Sequence, residues 1–258
     1  MPSKNSFRAV NVAALKLLFK PKDMGNSKKL DSKVIIYDDV CPLCKAYTSG
    51  FVSAGWLRPE NRIGFAEAPA ELIGRIDIDR ARHEIPLYDC ATGETLYGKE
   101  ALFFIIGEAI PVFRPLFRMH LFRVFIFVLY QIITYNRRII ANSRPPAKGF
   151  DCAPDFNAFY RWLYIGLMGM LAGLLFSSAA PSVDLFLSIL VLLAAVAVII
   201  GCLIQSFSIQ TDYFGHLATV MFLIALLHFG LQSFHVPLAV PSITLLGVWL
   251  FYRRIIKL

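Results

Sequence analysis

From Trp162 to Tyr252 the chain contains no lysine and no arginine, and its only acids there are Asp184 and Asp212. A stretch of that length cannot offer the charged surface that a water-soluble domain needs. Cysteine is scarce as well. Five residues (41, 44, 90, 152 and 202) are spread over 258 positions. An odd, dispersed set excludes a disulfide scaffold. There is no second C-x-x-C and no H-x3-5-H, so a structural zinc site would have to draw on the scattered Cys90, Cys152, His83 and His120. The N-terminus lacks the unbroken apolar core of a secretory signal. Phe7 to Phe19 is apolar on one face only and carries Arg8 and Lys16. It reads as a basic amphipathic helix, either on a membrane surface or packed on the domain that follows, with residues 20–33 as a linker.

What is present falls into two parts. Overall the chain is 57% apolar and carries a net charge of +8, with a mean hydropathy of +0.58. Residues 1–161 hold 23 of the 26 basic residues and 16 of the 18 acidic ones. The expectation is a polar, basic N-terminal part followed by a membrane part.

In the first part, Val34–Asp39 is a short β-branched run that predicts a strand. Pro42 to about Ala54 predicts a helix, with Gly55 as its stop. Arg62–Glu67 follows as a strand and 68–76 as a short helix. Ile85–Asp89 and Glu94–Tyr97 read as two strands around a Gly-containing turn, before a helix over Lys99–Glu108. The order β-α-β-α-β-β-α is that of a thioredoxin-like α/β domain, predicted over residues 34–110. Pro111–Ala141, rich in Phe and Arg, predicts one or two helices on the membrane surface or against the first domain. Its apolar run, Leu121–Tyr135, is short for a span. Residues 142–154, with Pro145-Pro146 and Gly149, read as a connector.

The chemistry centres on Asp38-Asp39-Val40-Cys41-Pro42-Leu43-Cys44, where a strand runs into a C-x-x-C that opens a helix. A thiol at a helix N-terminus meets unsatisfied N–H groups and the positive end of the dipole, which favour thiolate. Pro42 suits the first turn, where its missing N–H costs nothing. Cys41 is then the attacking thiolate and Cys44, one turn on, the resolving thiol of a dithiol–disulfide exchange. The competing readings are inert buried cysteines and half of a zinc site. Asp38 is a candidate proton acceptor near Cys44, since burial raises a carboxyl pKa; it is equally a candidate helix cap, with Asp39 as its rival. Pro86 heads the third strand. It is either a cis-proline facing the C-x-x-C and flanking a substrate edge, or a trans proline at the first residue of a strand. Cys152 is either a third redox thiol or a connector residue without chemistry. Cys90 and Cys202 read as inert.

The first part resembles the DCC family of thiol-disulfide oxidoreductases, whose pattern is an apolar strand followed by Asp-Gly-x-Cys-x-x-Cys. Asp38, Cys41 and Cys44 match; Asp39 stands where glycine is usual. Tyr135-Asn136-Arg137-Arg138 resembles the family's Asn-Arg element, and Asp151-Cys152-Ala153-Pro154 its Cys-containing segment. The similarity covers about residues 33–155. It implies a thioredoxin-like fold and redox chemistry without naming a substrate.

In the second part, residues 162–258 predict four spans, roughly Trp162–Ala179, Asp184–Gln205, Phe214–Phe234 and Pro237–Tyr252. Arg161 precedes them and Arg253, Arg254 and Lys257 follow. An even count with basic flanks places the N-terminal domain and the C-terminus in the cytoplasm, in a bacterial inner membrane on this reading. His216, His228 and His235 fall on or beside the third span, with packing or interfacial roles preferred over haem ligation. No cofactor is called for. The expected partners are membrane lipids, met by the Phe/Arg segment, and a protein thiol or disulfide, with no nucleic acid. The functional expectation is a membrane-anchored thiol-disulfide oxidoreductase. The alternative is a non-catalytic subunit or scaffold that reuses the redox fold for binding.

Overall fold

The computed structural model describes residues 30–143, 154–178, 185–233 and 239–256. The amphipathic stretch 7–19, most of the connector with Cys152, and His235 lie outside them. The chain divides into two compact units, residues 1–154 and 155–258.

The first unit is built on a four-stranded mixed sheet in the order β2-β1-β3-β4, with β1 Lys33–Tyr37, β2 Arg62–Gly64, β3 Pro86–Asp89 and β4 Thr95–Tyr97. β1 runs parallel to β2 and antiparallel to β3, which is antiparallel to β4. Parallel neighbours need a crossover, and helix α1, Pro42–Ser53, supplies it. α1 ends before Gly55, whose φ of +71° a residue with a side chain would resist. The short helices α2, Ala70–Ile73, and α3, Ile78–His83, lie between β2 and β3; α4, Gly98–Ala109, follows β4.

β1 is apolar throughout because both its faces are covered. Ile35 and Tyr37 pack with Leu87, Phe51, Ile105 and both motif cysteines. Val34 and Ile36 pack on the opposite face with Leu72, Tyr88 and Tyr97. Each fully buried Val or Ile contributes about 1.5–3 kcal/mol. Lys33 closes the strand pair with a 2.6 Å ion pair to Asp89, whose carboxylate also accepts from the Ala91 N–H and the Thr92 hydroxyl. One side chain thus ties the β3–β4 turn to β1.

Two further helices belong to this unit, α5 Arg114–Arg118 and α6 His120–Ala141. α6 buries Ile132, Thr134, Asn136, Arg137 and Ile139. Tyr130 accepts from the Ile85 N–H at 3.4 Å, and Arg123 pairs with Glu100 of α4 at 2.7 Å. The other face of its N-terminal half stays exposed, with Leu121, Val124, Phe125 and Val128. Asn142 ends α6 in the left-handed region at φ 51°, a conformation that Asn tolerates.

The second unit contains α7 Ala158–Ser178, α8 Leu185–Cys202, α9 Phe207–Ser233 and α10 Ala239–Phe251, the last continued by a π-helical turn, Tyr252–Ile256. α7 and α9 run parallel, because contacts climb both together: Phe156 with Phe207, Arg161 with Asp212, Tyr164 with Thr219, Phe176 with His228. Parallel neighbours oblige the chain between them to return, and α8 makes that return. Its last turns meet the start of α9, where Tyr213 donates to the Ala197 carbonyl at 2.8 Å and Gln210 to that of Gly201 at 3.2 Å. α10 comes back along α9: Leu250 packs with Val220 and Ile224, and Phe251 and Ile255 pack with Tyr213 and Leu217.

Among the described residues, three helices are long and apolar enough to cross a membrane, His120–Ala141, Ala158–Ser177 and Phe207–Leu231. This differs from expectation at several points. The 111–141 segment folds into two helices, the short α5 and the 22-residue α6, and α6 is of spanning length. α9 starts at Phe207, not near 214, because Asp212 and Tyr213 are engaged by Arg161 and Ala197 and so take helical positions instead of loop ones. α8 and α10 are apolar, and their described residues are 185–202 and 239–251.

Candidate thiol site

Strand β1 delivers the chain to a tight turn. Asp38 Oδ1 accepts from the N–H groups of Val40 and Cys41 at 3.0 and 3.1 Å. This Asx-type turn aims Cys41 at the first turn of α1. Asp39 needs no left-handed backbone, since Asn142 is the one non-glycine residue at positive φ among those described. The glycine that accommodates Asp39 is across the sheet. A Cβ on Gly64 would come within 2.9 Å of the Asp39 Cβ. The expected Asp-Gly turn is therefore replaced by an Asp-Asp turn facing a glycine.

The cap of α1 is neither aspartate. Cys41 itself occupies the N-cap, its sulfur accepting from the Cys44 N–H at 3.5 Å, and Pro42 takes the first helical position. Farther along α1, the Thr48 hydroxyl donates to the Cys44 carbonyl at 2.6 Å and accepts from Arg62 Nε at 2.9 Å. The Arg62 guanidinium stacks 3.9 Å above the Tyr37 ring. These contacts lock the helix that carries the thiols to β1 and β2.

The two sulfurs have opposite acidities. Cys41 is lowered to about 6. The main cause is a hydrogen bond from the Cys44 thiol. Burial works against it, and the Cys44 N–H and the Arg137 guanidinium assist. Cys44 is pushed far up, first by donating to Cys41, then by burial and by the Cys41 charge. One thiolate shared through a hydrogen bond to a neutral partner is the arrangement of an attacking and a resolving thiol.

Arg137 was not foreseen as a site residue. It comes from α6, 93 residues beyond Cys44. Its Nη1 lies 4.0 Å from the Cys44 sulfur, its Nη2 lies 3.5 Å from Asp38 Oδ2, and it donates to the Arg82 carbonyl at 3.3 Å. The only signal in the sequence was its place in the Asn136-Arg137 element. Its partner Asn136 donates to the Ile132 carbonyl within α6.

The structure brings together Asp38, Cys41, Pro42, Cys44 and Arg137. Pro86 is the first residue of β3, next to Ile85, which shares the core cluster of the two cysteines. No cis peptide bond occurs among the described residues, so of the two readings Pro86 follows the trans one. Cys90 lies beyond β3, its N–H on the Ser32 carbonyl and its thiol pushed up to about 11 by burial. Cys202 is exposed at the end of α8. His216 and His228 are on α9. Among the described residues no three His, Cys, Asp or Glu side chains gather as a metal-ligand set.

Both motif thiols are covered, each with 4% of its surface exposed. The site is thus closed to bulky reagents. Comparison with protein-family models, curated proteins and solved structures finds no match for this chain.

Proposed function

We propose that the chain is a membrane-anchored thiol-disulfide oxidoreductase of the DCC type, with a thioredoxin-like first unit. The observation that carries this reading is the geometry at the N-terminus of α1, where Cys41 caps the helix with its sulfur accepting from the Cys44 N–H and Arg137 lies 4.0 Å from the Cys44 sulfur; the lowering of Cys41 and raising of Cys44 agree with it. The sheet order, with a parallel β1–β2 pair and an antiparallel β3–β4 hairpin, supports the fold assignment.

The steps balance as follows. The Cys41 thiolate attacks one sulfur of a partner disulfide, forming a mixed disulfide and releasing the partner's other sulfur as thiolate. That step removes the charge and the hydrogen bond that hold the Cys44 proton. Cys44 then ionises, with Arg137 at 4.0 Å to stabilise the new charge and Asp38 beside the same guanidinium as a candidate acceptor for the proton. The Cys44 thiolate attacks Cys41, the partner leaves as its second thiolate, and a Cys41–Cys44 disulfide remains. A cellular thiol reductant restores the pair. In a cytoplasmic setting the resting state is the dithiol.

In this reading α7–α10 form the membrane anchor, and the basic ends at Arg161 and Arg253–Arg254 face the cytoplasm. α6 does not cross, because its C-terminal half is packed in the first unit and places Arg137 at the thiols.

Reduction of a small aromatic disulfide by the purified full chain tests the chemistry. Cys41→Ser lowers the rate by about 100-fold or more, since the thiolate is the nucleophile. An unchanged rate rules the reading out. The burial of both thiols favours a second reading, a redox fold used only for binding. That reading predicts a co-purifying partner retained equally by the Cys41→Ser/Cys44→Ser double variant.

A further inference from the structure

One face of α6 changes character along its length. Leu121, Phe125, Val128, Ile132 and Ile139 share it at helical spacing. Ile132 and Ile139 are buried in the first unit. Leu121, Phe125 and Val128 are exposed, Leu121 at 78% and Phe125 at 61%, and Val124 beside them is exposed too. The chain just before them continues the pattern, with Val112, Phe113 and Met119 all exposed. A run of large apolar side chains at this density is not left in water without a partner.

The surface is held in shape by the helices beneath it. The Phe103 ring of α4 stacks on Phe117 of α5 at 4.6 Å, and Phe122 of α6 lies 6.0 Å from Phe117. Arg114 Nε donates to the Gly107 carbonyl at 2.8 Å. A cleft of about 350 Å³ opens among these three helices, with Phe103, Phe104, Phe117, Arg114, Arg118 and Arg123 in its lining. Glu100 and Glu108 also line it, and they pair with Arg123 at 2.7 Å and Arg114 at 3.0 Å. Arg118 is exposed and has no ion pair among the described residues. The sequence supplies no acid between Glu108 and Asp151.

We propose that α5 and the N-terminal half of α6 lie on an anionic lipid surface, with Leu121, Phe125 and Val128 among the acyl chains and Arg118 at the headgroups. An exposed apolar stripe with arginine beside it is what an interfacial helix presents. The arginine selects an anionic over a zwitterionic surface, because each basic residue near such a surface adds attraction. Only residues 142–157 separate α6 from α7, so the patch works beside the bilayer that α7 enters. The inference rests on α7–α10 being the anchor and not on the thiol chemistry. It also limits the partner. Phe125 and Arg137 are both on α6, about 18 Å apart along its axis. Docking therefore holds the thiols near the headgroups, within reach of a disulfide on a membrane-associated protein.

Hydroxyl-radical footprinting of the full chain in lipid nanodiscs tests it, with discs of phosphatidylcholine alone beside discs that also contain phosphatidylglycerol. Met119, Leu121 and Phe125 should oxidise about fivefold more slowly in the discs with phosphatidylglycerol, the effect of one basic residue near an anionic surface. Val40 and Ile78, exposed elsewhere on the first unit, should oxidise equally in both. Arg118→Gln should remove most of the difference between the discs. Phe125→Glu puts a carboxylate on the patch and should end the protection of Met119. Its exchange rate with a small aromatic disulfide should stay at the wild-type value, since Phe125 is exposed and touches neither thiol. Leu192 and Ile199 of α8 report the anchor and should be protected in both discs. Met119 and Phe125 oxidising equally in the two discs overturn the docking, whether open to water in both or covered in both by something other than anionic lipid. So does a Phe125→Glu chain that keeps Met119 protected. Ready oxidation of Leu192 and Ile199 overturns the anchor, and the docking falls with it, while the thiol chemistry stands or falls on its own assay.

Discussion

The two units of this chain treat a buried arginine in opposite ways. In the first, Arg137 is enclosed by an aspartate, a carbonyl and a sulfur, all supplied by the unit itself. In the second, Arg161 is as deeply covered but has one half-exposed carboxylate and two donors without acceptors among the described residues. Apolar residues are reversed as well. The first unit turns Ile35, Ile36, Leu72 and Leu87 inward around its sheet. The second turns Leu192, Ile199, Leu245 and Val248 outward. The difference teaches what each surface suits. A polar surface around a packed sheet suits water, where buried charge is paired within the unit, whereas helices whose outer surface is apolar are compatible with lipid.

The strongest way to break the comparison is to disturb one unit and watch the other. A Cβ on Gly201 would come within 2.7–2.8 Å of the Phe214 and Tyr213 rings, and Tyr213 is held by its bond to the Ala197 carbonyl. Gly201→Ala is expected to destabilise the second unit by about 1–3 kcal/mol. Cys41 alkylation should not change. A changed alkylation rate would mean that the units are coupled.

Acid sharpens the first unit's side of the comparison. Burial pushes the Asp89 carboxyl up, but bonds from Lys33, the Ala91 N–H, Ser32 and Thr92 win and hold it at about 2, below the ordinary 3.8. A depressed carboxyl stabilises the fold fully above its unfolded value and loses that contribution as pH falls from 4 through 2. About 1–2 kcal/mol is expected, allowing for screening by water. Chemical denaturation of wild type and Asp89→Asn at pH 7 and pH 2 checks it; the gap should be wide at pH 7 and narrow at pH 2. The smallest effect expected is at Arg137. Arg137→Gln removes a charge that favours both thiolates and should slow exchange at pH 6.5 by about 3–10-fold. Most of that loss should be recovered at pH 9, a recovery that purely structural damage would not give.

Much of this was legible from the sequence where local physics decides. Val34-Ile35-Ile36-Tyr37 reads as a strand because a β-branched run bounded by turn residues has few alternatives. Pro42 marks the helix start because it is tolerated in the first turn. Gly55 and Gly93 sit at positive φ near the expected stop and turn. What was hidden depends on distance along the chain. Arg137 reaches Cys44 across 93 residues, and no periodicity encodes that. α3 escaped because Ile78-Asp79-Arg80-Ala81-Arg82-His83 is too short and polar to show an apolar face. The start of α9 was hidden because Gln210, Thr211 and Asp212 look like a loop until their partners on α7 and α8 are known. The cap at Cys41 was unforeseen because two aspartates precede it, and the turn geometry assigns Asp38 to orienting the loop instead.

On this account Cys41 is the low-pKa, more acidic thiol of an exchange pair. The most direct measurement is the rate at which the Cys44→Ala chain forms a mixed disulfide at Cys41, beside the rate of wild-type Cys41 alkylation by iodoacetamide, both followed by peptide mass spectrometry from pH 4 to 10. Wild-type labelling should fall on Cys41 and rise through a midpoint near 6. Without the Cys44 thiol as hydrogen-bond donor, the midpoint should move upward while the mixed disulfide still forms at Cys41. Labelling that starts only above about pH 8.5 in both chains, the range of an ordinary thiol, would contradict it.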